Sequence, residues 1–210
     1  SEEIKMLKAV GERVDGKMKI MYDSACHLST IADALEVGKV CDHYGFYWYE
    51  DPYKDGGVSI NGNKYLSKKL STPILVGEHV RNLETSVDML VNGASFFSRA
   101  DPDYDGGITG CHKLVVASEG LGMDCEIHSC GPAMRQLMGA SRNSNFYEVN
   151  LLHPKCKNPW SLPIYLNGYS DQINCIDSDG NVDVFNEPGL GVVYDWKFIE
   201  KQSLEKIIIK

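Results

Sequence analysis

No stretch of this 210-residue chain stays apolar for the roughly 20 residues a membrane helix needs. No signal peptide is visible either, so a cytoplasmic protein with no membrane partner is expected. The seven cysteines, at 26, 41, 111, 125, 130, 156 and 175, are odd in number and contain no CxxC pair. That argues against a disulfide framework and a zinc ribbon, and in favour of reduced thiols. A basic stripe is missing as well. With a net charge of −8 and a pI near 5.2, the chain has little to set against phosphates, so nucleic acid is excluded as a partner. Gly106-Gly107 is not followed by Lys-Ser/Thr, which makes it a poor phosphate loop. The glycines are better explained by a tight turn into the next helix. The length suits one domain with a sizeable core.

Six short apolar runs are present instead, each ending in a carboxylate or a histidine. They are Met18–Asp23, Phe46–Glu50, Ile74–Glu78, Phe96–Asp101, Cys125–His128 and Phe146–Glu148. The terminal residues Asp23, Glu50, Glu78, Asp101, His128 and Glu148 follow one another at steps of 27, 28, 23, 27 and 20 residues. A (β/α) barrel explains such spacing: each unit is strand, loop and helix, and the C-terminal strand ends meet at one mouth. So many acids and bases in one place would repel unless a cation held several of them.

Between the runs the pattern is helical. Glu2–Val14 and Ile31–Tyr44 carry apolar residues at helical spacing, the latter with Ser29 or Thr30 as cap. Lys64–Leu70, Leu83–Asn92 and Ile108–Glu119 read as helices, and 54–63, with Gly56-Gly57 and Asn61-Gly62, as a loop. The alternation predicts an α/β fold with a parallel sheet. After Pro154 turn signals dominate, so residues 1–154 are expected to form the partial barrel and 155–210 an irregular extension packed on it or on another domain. Trp160 and Trp196 are candidate anchors for that extension.

The order of Asp23, Tyr49-Glu50-Asp51-Pro52, Val76-Gly77-Glu78, Asp101 with Gly106-Gly107-Ile108-Thr109, His128-Ser129 and the tail Glu187–Val192 resembles the enolase superfamily, mandelate racemase-like subgroup. The resemblance covers nearly the whole chain and implies a TIM-type barrel portion, strands three to eight. It implies that Asp23, Glu50 and Glu78 bind Mg²⁺. It further implies that His128 is a general base oriented by Asp101, and that Glu148 hydrogen-bonds a substrate oxygen. The catalytic lysines of the family's second strand and its N-terminal capping domain have no counterpart here. The 210 residues therefore read as the C-terminal part of a longer protein. Many relatives carry Asn two residues after the first metal ligand; here Ala25 stands there, followed by Cys26 and His27, and His27 is a candidate to replace that polar contact.

The residue types suit the chemistry. Mg²⁺ takes hard oxygen ligands and leaves positions open, and histidine beside aspartate is a base near neutral pKa. Asp51 either supports the metal set from behind or caps a turn. Cys26 and Cys130 flank the expected site and read as pocket lining; His43, His79, His112 and His153 read as surface or packing residues. The expected function is Mg²⁺-dependent abstraction of the α-proton of a small carboxylate substrate, with dehydration of an acid sugar (a hydro-lyase) first. Racemisation or epimerisation of a 2-hydroxy acid is the alternative, and a non-catalytic metal-binding domain the other. Assembly as a homo-oligomer is expected.

Overall fold

The first helix signals in the sequence are realised by side-chain caps. In the computed structural model, which describes residues 1–54, 57–149, 155 and 163–207, helix α1 spans Glu2–Val14. The Ser1 hydroxyl accepts from the Ile4 amide, and Glu2 and Glu3 lie in the positive first turn of that helix. Helix α2, Ile31–Tyr44, starts at Thr30, whose hydroxyl accepts the Asp33 amide at 3.1 Å. The two helices cross closely at Gly11, where a Cβ would lie 2.3 Å from the Tyr44 ring. Helix α3, Ile60–Ser67, begins four residues before the expected Lys64. Ser59 is the reason: its hydroxyl accepts the Gly62 amide at 3.1 Å, so Asn61-Gly62 forms a first helical turn and not a loop. Helices α4 (Leu83–Val91) and α5 (Gly107–Gly120) lie within one residue of expectation at each end.

These helices alternate with five strands: β1 (Met21–Asp23), β2 (Trp48–Glu50), β3 (Ile74–Val76), β4 (Phe97–Ala100) and β5 (Cys125–Ile127). All pairs are parallel and the order is sequential, so the first unit of the chain is a five-strand half-barrel. The register pairs Asp23 with Glu50, Glu50 with Leu75, Val76 with Ser98, and Ala100 with Ile127, which aligns the C-terminal strand ends along one edge.

The pleat sorts side chains with period two. Tyr49, Ile74 and Val76 face a helix-covered core with Leu7, Val37, Cys41 and Leu66. Trp48, Leu75 and Phe97 face the other side and pack with Met21, Tyr47 and Phe146. Trp48 meets Phe97 and Phe146 edge-on, with centroids 5.7 and 5.9 Å apart. One pleat further along, the same face carries Asp23, Glu50 and Arg99.

The sixth run, Phe146–Glu148, forms no strand among the described residues. The amides at its start are diverted. Glu126, fully buried on β5, takes the Asn145 and Phe146 amides on Oε2 at 3.0 and 3.2 Å and the Asn145 side chain on Oε1 at 2.7 Å. A carboxylate holds what a neighbouring strand's carbonyls would otherwise accept.

The contacts divide the chain into two compact units: residues 1–128 with 141–146, and residues 129–140 with 147–210. The second contains α6 (Pro132–Gly139), a 3₁₀ turn at Ile173–Cys175 and α7 (Trp196–Gln202). It holds a buried polar knot beside the apolar Met134 and Leu137. Asp171 Oδ1 accepts Arg135 Nη2 at 2.6 Å, the Tyr147 hydroxyl at 2.5 Å and the Tyr169 hydroxyl at 3.0 Å. Arg135, only 4% exposed, also lies 4.3 Å from the Tyr169 ring centroid. Trp196, a candidate anchor, opens α7 and is 62% exposed in this chain. Its sequence environment, Asp195-Trp196-Lys197, is that of a capped helix start, and Asp195 Oδ1 accepts the Phe198 amide at 3.0 Å. Trp160 and His153 lie outside the described residues. No described helix is long and apolar enough to cross a membrane.

Candidate metal centre and base

The C-terminal edge of the half-barrel gathers five of the six residues singled out in the sequence. Asp23 ends β1, Glu50 ends β2, Glu78 follows β3 by two residues, and Asp101 and His128 directly follow β4 and β5. One carboxylate oxygen each from Asp23, Glu50 and Glu78 lies within 4.8 Å of the others. Burial differs among them. Glu50 is 2% exposed, the Glu78 side chain is 21% exposed, and Asp23 is open to solvent. The Asp23 carboxylate is steadied by the Ala25 amide, which donates to Oδ1 at 2.7 Å.

Asp101 is fixed at both oxygens. Oδ1 accepts the Asp103 amide at 2.7 Å, and Oδ2 faces His128 Nδ1 at 2.5 Å. A carboxylate there favours the tautomer with hydrogen on Nδ1, which leaves Nε2 with its lone pair. Nε2 lies 3.5 Å from Glu78 Oε1, so the basic nitrogen borders the carboxylate trio. The His128 side chain keeps 21% exposure, enough to be reached from solvent. Its main chain is held by a bond from His128 N to the Ala100 carbonyl at 2.9 Å. Glu148 belongs to the second unit, where its Oε2 accepts the Ser129 amide at 2.5 Å.

Arg99 had no place in the sequence reading, yet it is bonded to the buried carboxylate of the trio. Its Nε and Nη2 donate to Glu50 Oε1 and Oε2, both at 2.8 Å. Gly77 makes the room: a Cβ there would sit 2.5 Å from Arg99 Cβ and 2.7 Å from its carbonyl oxygen. The available signal was parity, since Arg99 is two residues from the inward Phe97, and a charge at such a position needs a buried partner.

Asp51 lies fully buried next to Glu50, in a left-handed backbone conformation (φ 38°). Burial pushes its carboxyl up to about 7, and the charges of Asp23 and Glu78 push the same way, against Arg99 and His128. Neither oxygen has a hydrogen-bond partner among the described residues. His79 Nε2 comes to 3.7 Å from Asp51 Oδ2, and Cys26 joins these two in a second group whose ligand atoms also lie within 4.8 Å of one another. His27 turns to the main chain, with Nδ1 3.0 Å from the Ser24 carbonyl oxygen.

Three comparisons bear on this geometry. The family model for enolase C-terminal domain-like proteins matches residues 1–198. Arabinonate dehydratase of Saccharolobus solfataricus is 26% identical over 195 residues, which are 90% of this chain and 48% of that protein. L-talarate/galactarate dehydratase of Salmonella typhimurium is 26% identical over 115 residues, 55% of this chain and 28% of that protein. Among solved structures, D-glucarate dehydratase from Agrobacterium tumefaciens, complexed with magnesium, aligns with a TM-score of 0.78 at 28% identity, over 94% of this chain and 50% of its own. The chain thus spans about half the length, or less, of these relatives. It belongs to the enolase C-terminal domain-like family.

Proposed function

We propose that this chain carries the catalytic face of a Mg²⁺-dependent enzyme that removes the α-proton of a carboxylate substrate, and that the reaction is dehydration of an acid sugar. One observation carries the reading: three carboxylates converge within 4.8 Å beside a histidine whose far nitrogen is bonded to Asp101. The donor set fits the ion, because all three groups offer hard oxygen and none offers sulfur or nitrogen. Asp23, Glu50 and Glu78 would hold it. Bound there, Mg²⁺ supplies positive charge opposite the oxyanion that develops when the α-proton leaves.

The remaining work belongs to the side chains. His128 Nε2 takes the α-proton, and the electron pair of the C–H bond moves toward the substrate carboxylate. The Asp101 carboxylate holds the imidazolium that results. His128 then returns the proton to the departing β-hydroxyl, which leaves as water. The enol that remains tautomerises to a 2-keto acid. Arg99 balances the charge of Glu50 and keeps both its oxygens in place. For Glu148 the support is the resemblance, which implies a hydrogen bond to a substrate oxygen. The dehydratase names of the relatives favour this reaction over racemisation.

The test is a panel of aldonic and aldaric acids assayed for 2-keto product, with Mg²⁺ and with a chelator. Product that requires Mg²⁺ and disappears in Glu50→Gln supports the proposal. Product that survives chelation, or full activity in Glu50→Gln, overturns it.

A further inference from the structure

We propose that Cys26, Asp51 and His79 form a second cation site, built for a borderline-soft divalent ion of the Zn²⁺ class. The three side chains come from three different strand–helix loops of the first unit, and their sulfur, oxygen and nitrogen ligand atoms lie within 4.8 Å of one another. Each is a sequence neighbour of the carboxylate trio. Asp51 follows Glu50, His79 follows Glu78, and Cys26 lies three residues beyond Asp23.

The independent sign of a ligand is Asp51. Its carboxyl group is wholly inaccessible to solvent, and neither oxygen has a hydrogen-bond partner among the described residues. Buried polar atoms are rarely left so, because desolvation without a partner is costly. His79 Nε2 stands 3.7 Å from Oδ2, too far for a hydrogen bond. That separation is instead close to the edge of a tetrahedral coordination shell. With bonds of about 2.0–2.3 Å to oxygen, nitrogen and sulfur, such edges measure roughly 3.3–3.7 Å. Cys26 Sγ, within 4.8 Å of both, supplies the third corner.

Donor chemistry separates this site from its neighbour. Thiolate and imidazole suit Zn²⁺ or Co²⁺ and are poor ligands for Mg²⁺, which prefers the all-oxygen trio. On binding, the Cys26 thiol releases its proton to solvent and the sulfur becomes an anionic ligand. Three protein ligands leave a fourth position open, and the partly exposed His79 and Cys26 give an ion access from solvent.

Co²⁺ is the probe, titrated into the protein with Mg²⁺ in large excess, and read by absorption. The expected result is a thiolate-to-Co²⁺ charge-transfer band that saturates at one ion and persists in Mg²⁺. Cys26→Ser should abolish the band and weaken Co²⁺ binding by at least about tenfold, since even outer-shell partners are worth 10–100-fold. His79→Gln, on a part-exposed side chain, should weaken binding similarly and carries the test if Cys26→Ser fails to fold. A band unchanged in the Cys26 or the His79 variant overturns the proposal. So does Co²⁺ that binds without the band and is displaced by Mg²⁺, which would place it in the carboxylate trio. The readout needs no turnover, so failure here is distinct from failure of the dehydratase reading.

Discussion

Arg99 grips both oxygens of Glu50 at 2.8 Å, across the 49 residues that separate them in sequence. Both side chains are almost fully buried. Removing one partner of such a pair strands the other's charge in low dielectric. Arg99→Met should therefore destabilise the protein by about 3–5 kcal/mol, read as a fall in the unfolding midpoint. The variant should regain part of the loss in Mg²⁺, because a cation on the trio again offsets Glu50. A melting curve unchanged from wild type would show that the pair contributes no net stability.

Gly77 is the complement of that ion pair. Gly77→Ala places a methyl group where Arg99 Cβ and main chain already stand, at a backbone φ of 153° that favours glycine. Overpacking of this kind costs about 1–3 kcal/mol. Denaturant unfolding should show the loss, and Arg99→Met should not relieve it, because methionine keeps the Cβ and main-chain atoms that the new methyl group meets. A Gly77→Ala midpoint equal to wild type would contradict the close approach.

Asp101 has a positioning role that stability does not reveal. Asp101→Asn keeps the shape but offers His128 a mixed donor and acceptor, so the imidazole is no longer held with hydrogen on Nδ1. Activity should fall by roughly 10²–10⁴-fold, with an unfolding midpoint close to wild type. Retained activity would assign the proton transfer to another group.

The second unit rests on Asp171, where one carboxylate oxygen accepts from Arg135, Tyr147 and Tyr169. Asp171→Ala leaves the Arg135 guanidinium buried with no carboxylate, a loss of about 3–5 kcal/mol. Limited proteolysis should then cut within 163–207 before the first unit is digested. Equal protection in wild type and variant would contradict the role given to the knot.

The parallel strands were legible because a short apolar run ending in a titratable group recurs at barrel spacing. The recurrence places these end residues at one mouth; setting Asp23, Glu50 and Glu78 apart as one group, and Asp101 with His128 as another, comes from the resemblance to the enolase superfamily. What stayed hidden had physical causes. Phe146–Glu148 looks like a sixth strand until Glu126, a charge inside β5, is seen to take the Asn145 and Phe146 amides where it begins. Ser59 turned an apparent Asn-Gly loop into a helical turn. Arg99 was passed over because a charged residue in a strand is usually solvated, and only the three-dimensional register sets it against Glu50. Helix α6 is short, eight residues, and its start lacks a side-chain cap. Cys26, Asp51 and His79 each lie within three residues of an expected ligand, but nothing in one dimension shows that they meet.

The central claim is that His128 removes a substrate α-proton beside a cation held by Asp23, Glu50 and Glu78. The most direct measurement is proton NMR in deuterium oxide, following the α-hydrogen of an acid sugar and the 2-keto product with Mg²⁺ present. Wild type should consume the α-hydrogen and form product, and His128→Asn, folded and still binding Mg²⁺, should do neither. Loss of the α-hydrogen and product formation in that variant at the wild-type rate would contradict the account.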